Sequence, residues 1–147
     1  MPYVEKNLGQ NEQVIYKASV HWFIFTKSIM IFIAACYFSL VPQTQLFGLA
    51  LFFFFVPLFF DALIKKSKTE LAVTNKRVIA KFGWISINTI ELNLSKVEGI
   101  RIHQNALGRL FNFGNLSIGG TGGQRTPINY VSAPLKFRKT VNDLTEN

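Results

Sequence analysis

Thiol chemistry is almost missing from this chain, which has one cysteine, Cys36, in 147 residues. A single cysteine forms no intramolecular disulfide. Cys36 lies inside an apolar run with no other metal-binding side chain beside it, so it acts as a small apolar residue. Histidine is nearly as scarce, with His21 and His103 alone. They stand far apart, without a nearby thiol or spaced carboxylates, so a metal site or a histidine-based triad lacks its parts. Ser86, Ser95 and Ser117 sit in strand-like stretches with no nucleophile-elbow pattern. The GGTGG run at 119–123, followed by Arg125, offers backbone amides to a phosphate. It has no Walker lysine and does not open a helix, so it reads as a hairpin tip. No enzyme, cofactor, metal or small-molecule substrate is expected.

Charge is the second shortage. Between Trp22 and Ile64 only Lys27 and Asp61 are formally charged. This stretch reads as two apolar pieces, 22–41 and 46–64, joined through PQTQ, and they are 20 and 19 residues long. Each is about the length an α-helix needs to cross the hydrocarbon core of a bilayer. Leu46 to Phe60 has no polar face of the kind a soluble amphipathic helix keeps. Two membrane spans are expected. Lys65, Lys66 and Lys68 follow the second piece, Lys17 and Lys27 flank the first, and the turn between them is uncharged. The positive-inside rule then places both termini in the cytoplasm. Lys27 can snorkel to the headgroups, and Trp22 suits the interfacial aromatic belt. Asp61, close to the exit and followed by lysines, reads as an interfacial anchor; an inward-facing acid of an ion pathway is the sharper alternative. Pro57 is expected to kink the second helix. The first span would serve as its own insertion signal, since no cleavage-site pattern precedes it.

The basic excess falls elsewhere. Residues 1–64 hold three basic and three acidic side chains, whereas residues 65–147 hold thirteen and five, which accounts for the whole net charge of +8. A basic domain suggests nucleic acid or an anionic membrane. A chain tethered to a bilayer meets lipid first, so no nucleic acid is expected.

Residues 1–21 form a cytoplasmic segment in which EQVIYKASV reads as a strand that pairs with the later domain, or as an extension of the first span. After Lys68 the pattern becomes one of short strands. Leu71 and Val73 precede a turn at Thr74-Asn75-Lys76, and Val78, Ile79 and Phe82 follow it, up to a turn at Gly83. Ile90, Leu92 and Leu94 alternate with Glu91, Asn93 and Ser95, as in an antiparallel strand with one buried face. A bend is expected at Glu98-Gly99, then a strand with Ile100 and Ile102. Asn105 to Phe113 reads as a helical turn or apolar loop, and further strands hold Leu116, Ile118 and INYVSA. Pro134 sits where a first helical residue would, and Phe137, Val141 and Leu144 make one apolar stripe behind it. Residues 65–147 are thus a mainly-β cytoplasmic domain, a curved antiparallel sheet capped by a C-terminal helix.

The order of these pieces resembles a known family. Two adjacent spans are followed by TNKRVIAKFGW, by IELNLSKVEGIRIHQNALGRLFNFGNLSIGG and by a helix opening at SAP. They are similar to the bacterial pleckstrin-homology-like membrane proteins of the YdbS-like group, over residues 12–147. The resemblance implies a seven-stranded sheet closed by a C-terminal helix, in the bacterial inner membrane, and no catalytic residue. Eukaryotic pleckstrin-homology domains bind phosphoinositides through a basic first hairpin, a region that Lys76, Arg77 and Lys81 match loosely here.

Two candidate surfaces follow. Lys65, Lys66, Lys68, Lys76, Arg77 and Lys81 are candidates for anionic lipid headgroups, each cation near such a surface contributing roughly 1 kcal/mol. Leu107, Leu110, Phe111 and Phe113 are candidates for a protein contact, because so short a segment rarely carries so many apolar groups without a core or a partner to meet. The function expected is that of a non-catalytic, membrane-anchored interaction module that binds a protein partner, a same-family membrane protein or itself, and rests on anionic lipid. A lipid-headgroup sensor and an oligomeric channel or transport component are the alternatives.

Overall fold

The computed structural model describes residues 3–84, 86–120 and 125–146. They fall into two compact units, Met1–His21 with Lys68–Asn147, and Trp22–Ser67.

In the first unit β1 (Val14–Ala18), β2 (Glu70–Thr74), β3 (Arg77–Phe82) and β4 (Asn88–Asn93) form one antiparallel sheet in that order. β5 (Val97–His103), β6 (Phe113–Gly120) and β7 (Arg125–Ser132) form a second. A lone bridge from Val20 to Val131 joins the chain just past β1 to β7. The helices of this unit are α1 (Tyr3–Lys6), α4 (Ala106–Leu110) and α5 (Pro134–Thr145), numbered in chain order with those of the other unit. The antiparallel strands and the C-terminal helix are those expected, but the sheet is divided in two.

The core lies between the sheets and α5. Leu71, Val73, Val78, Ala80, Leu116, Ile118, Ile128 and Val131 are buried there. The α5 stripe enters the same core, with Phe137 and Val141 buried and Leu144 partly so. Strands β2 and β3 are apolar on both faces, because Ala72 and Ile79 point away from that core. The N-terminal segment covers them: Val4 on α1 is buried against both, with Tyr3, Leu8 and Val14 packed around it.

Two local expectations are corrected. A strand through Ser95 is interrupted, since β4 ends at Asn93 and Leu94–Lys96 turn as a 3-10 helix. The Leu94 N–H donates to the Lys76 carbonyl at 3.0 Å, which holds that turn beside the β2–β3 tip. Glu98-Gly99 does not bend the chain out of the sheet; β5 runs through it, with a register irregularity between Val97 and Gly99. A bulge absorbs the extra residue there.

The second unit is a helical hairpin. A 3-10 turn at Trp22–Phe25 leads into α2 (Thr26–Leu40), and another at Pro42–Thr44 into α3 (Gln45–Lys68). α3 stays one helix through Pro57 and runs past the expected end at Ile64. Small residues lie at the seam, with Ser28, Ala35, Gly48 and Ala62 buried. Phe32 meets Phe52 and Phe55 with ring centroids 5.8 and 5.1 Å apart. Only 11% of the apolar window of each helix is buried.

Candidate functional site

The β2–β3 hairpin carries the basic residues that composition singles out, and strand register divides them. Glu70 pairs with Lys81 and Lys81 with Thr89, so Lys81 lies at the end of the sheet where β2 begins, just after Lys68. Lys76 and Arg77 lie at the other end, about 14 Å away along five-residue β2. Lys76 and Arg77 therefore do not share one patch with Lys81.

Arg77 is partly exposed and engaged by other groups of the domain. Its Nε donates to Glu12 Oε1 and its Nη2 to Glu12 Oε2, both at 2.9 Å. Nη1 donates to Glu91 Oε2 at 2.6 Å, and Nη2 also to the Asn7 carbonyl at 2.7 Å. Four bonds on a guanidinium with five N–H groups leave little for a headgroup. Glu12 is enclosed as well: it accepts from Thr74 Oγ1 at 2.8 Å and from the Gly9 N–H at 2.7 Å. The Arg77 guanidinium and these donors hold the Glu12 carboxyl at about 2, against 4.5 ordinarily, outweighing the opposing effect of burial. The same pairing raises the Arg77 pKa. Arg77 thus ties the segment before the apolar helices to the strands after them.

The remaining cations differ. Lys76 Nζ donates to the Gln10 carbonyl at 2.6 Å, and Lys81 Nζ lies 4.2 Å from the Tyr3 ring centroid. Lys65 pairs with Asp61 one helical turn away at 2.6 Å, with both side chains exposed. Lys66 lies 5.5 Å from the Phe25 ring. Lys68 is exposed.

The analogy with a basic first hairpin is also corrected. β1 comes from residues 14–18, so the first connection of the sheet, β1 to β2, is the apolar segment itself. Thr74–Arg77 closes the second.

The apolar candidates separate by burial. Phe113, on β6, is 4% exposed and belongs to the interior; its ring stacks on His21 at 5.2 Å and faces Tyr130 at 6.0 Å. Leu107, Leu110 and Phe111 are exposed, Leu110 by 75%. The corner that presents them is firmly built. Asn105 caps α4 by accepting from the Gly108 N–H at 2.7 Å. Gln104 Nε2 donates to the carbonyls of Gly108 and Phe113 at 3.2 and 2.8 Å.

Two parts were not found from sequence. Glu12 carries no local mark of its partner 65 positions away. Trp84 and Ile87, on the β3–β4 turn, are 59% and 60% exposed; two large apolar residues beside Gly83 were the available signal. Residues 121–123 of the GGTGG run lie outside the described residues. Among the described residues no group of three His, Cys, Asp or Glu side chains could hold a metal ion. A depression of about 430 Å³ is lined by Glu98, Arg101 and Ser117 among others.

No curated protein sequence matches the chain. A solved structure with which it shares 10% identity is that of a DUF1696 family protein with a pleckstrin-homology domain from Shewanella loihica PV-4. The alignment covers 97% of this chain and 89% of that one, with a TM-score of 0.49. The family description "Bacterial PH domain" matches residues 28–145. With most of its length inside that match, the chain belongs to the bacterial PH domain family.

Proposed function

We propose that this chain is a two-span membrane protein of the YdbS-like kind, whose bacterial PH domain is held at the cytoplasmic face as a non-catalytic module for a protein partner. One observation carries the reading. Ala18, the last residue of β1, pairs with Leu71 near the start of β2, so the chain enters and leaves the apolar hairpin from neighbouring strand ends. Only Ser19–His21 separate β1 from the first turn of that hairpin, and only Thr69 separates α3 from β2. Such links reach about 14 and 7 Å. A domain fastened twice on so short a lead cannot leave the surface that receives the helices.

The exposure of α2 and α3 supports the membrane assignment, because a soluble protein covers its core helices. The lipid-headgroup sensor loses support with Arg77 engaged by Glu12 and Glu91. The channel reading loses support with Asp61 paired to Lys65.

Cysteine mapping of the full chain in a Cys36→Ser background tests this. An impermeant maleimide should label Gln43→Cys in intact cells, and Lys76→Cys only after permeabilisation. Release of the chain by alkaline carbonate, or the reverse labelling, would overturn the membrane reading. A photo-crosslinking residue at Ser95 or Lys76 should give a discrete protein adduct; membrane-held chain without one from either position removes the partner.

A further inference from the structure

We infer that one rim of the PH domain is a lipid-embedded surface, on which Trp84 and Ile87 at one end, and Leu107 and Leu110 at the other, enter the bilayer interface on either side of the two connections to the helices. This rests on the membrane reading above. It reassigns the Leu107–Phe111 corner from a protein contact to lipid.

The register brings these residues to one rim. β1 ends and β2 begins there, with Ala18 opposite Leu71. β3 ends and β4 begins there too, with Glu70 opposite Lys81 and Phe82 opposite Asn88. The turn carrying Trp84 and Ile87 therefore sits one strand from the Lys68–Thr69 connection. On the other side, the Ser132 N–H donates to the Ser19 carbonyl at 2.9 Å and the Val20–Val131 bridge follows. Ser132 pairs with Phe113, the first residue of β6, and Phe113 stacks on His21. The α4 corner therefore stands beside the connection to Trp22. From one end of the rim to the other the order is the Trp84 turn, the chain from α3, the chain to α2, and the α4 corner.

The exposed side chains on this rim suit a bilayer boundary. Trp84, Ile87, Leu107 and Leu110 are 59%, 60%, 49% and 75% exposed. In water that display is unfavourable, whereas at a membrane interface tryptophan with neighbouring leucine or isoleucine is a common anchor. Cations accompany them: Lys68, Lys81 and Arg109 belong to the same rim, where anionic headgroups attract them. The opposite rim, with the Asn75–Lys76 tip and the Leu94–Lys96 turn, has Leu94 buried and one exposed large apolar side chain, Ile15 at 47%, next to the Val14–Thr74 pair; among the described residues it carries no tryptophan and no cluster of the kind on the first rim. The occupant is the bilayer rather than a second protein, because the short connections hold this rim at the surface the helices enter.

The two tryptophans of the chain make the test direct. The full chain would be reconstituted in vesicles containing lipids brominated near the headgroup end of the acyl chain. With Trp22→Phe, the remaining Trp84 should lose fluorescence to a degree comparable with Trp22 in a Trp84→Phe protein. In a Trp22→Phe, Trp84→Phe background, Leu110→Trp should also be quenched and Lys76→Trp should not. Quenching of Trp22 without quenching of Trp84 or of the Leu110→Trp protein overturns the inference and leaves the spans standing. Equal quenching of the Lys76→Trp protein overturns it as well, since the domain then shows lipid no particular rim. Absence of quenching at Trp22 itself removes the membrane reading and this inference with it.

Discussion

Glu12 and Arg77 meet edge to edge, each carboxylate oxygen taking one N–H of the guanidinium at 2.9 Å. Glu12 precedes the apolar hairpin and Arg77 follows it, so this pair closes the discontinuous domain across the inserted helices. The Glu12 side chain is 2% exposed and that of Arg77 23%. Such a pair matters mainly through what is left when one partner is lost.

The pH dependence follows from the depressed carboxyl. Glu12 titrates at about 2 in the folded chain against 4.5 ordinarily. Its contribution, on the order of 3 kcal/mol, is fully present above 4.5 and is lost as pH falls towards 2. Thermal melts of the detergent-solubilised chain should be level from pH 7 to about 5.5, then decline. Glu12→Gln should be less stable at neutral pH and should lack most of that decline. An unchanged acid profile in this variant would separate acid sensitivity from the pair.

The α4 corner should show that its supports, not its exposed side chains, carry stability. Gln104→Ala removes two bonds to the carbonyls of Gly108 and Phe113 and should cost about 1–3 kcal/mol. Leu110→Ser changes a side chain that is 75% exposed and should stay within about 0.5 kcal/mol in detergent. Denaturant titration of both proteins checks the contrast, and a large loss for Leu110→Ser would place that residue in the folded interior.

Asp61 provides a neutral prediction. Its partner Lys65 lies on the same exposed face of α3, and exposed i,i+4 pairs contribute about 0.3–0.5 kcal/mol. Asp61→Asn should leave the melting temperature nearly unchanged and the chain in the membrane fraction. Loss of an assembled species on native gels in this variant would reopen an inward-facing role.

Legibility of the fold follows the range of the signal. The long apolar runs and the Ile90, Leu92 alternation announce α2, α3 and β4 because each pattern lies within a few residues. So does α5, where Phe137 and Val141 stand one turn apart and both are buried. β1 is less plain, since Val14 packs with the outer cluster and Tyr16 with the inner one. α1 is four residues long and has no helical pattern of its own; Ala72 and Ile79 decide its place. Arg77 read as a surface charge because its partner is distant in sequence, and Phe113 as a contact residue because only the His21 and Tyr130 rings reveal its burial. The rim is legible only after strand register is known, since Trp84 and Leu110 reach the same rim, at its two ends, through pairing and not through spacing.

Packing in the hairpin gives the last prediction, because two effects there have opposite signs. On propensity alone Gly48→Ala should stabilise α3 by about 1 kcal/mol. The added methyl would, however, stand 2.4 Å from Ser39 Oγ, 2.6 Å from Ser39 N and 2.9 Å from its Cα. A hydroxyl can rotate away, but the backbone of α2 can yield only if the helices part. Small residues at such seams allow the close approach on which helix association in lipid depends, and overpacking typically costs about 1–3 kcal/mol. The clash should win. Gly48→Ala is expected to lower the resistance of the purified chain to SDS unfolding. Adding Ser39→Gly should restore only part of it, since the residue 39 backbone stays in the way. A Gly48→Ala protein more stable than the parent would mean that α2 and α3 do not meet at this point.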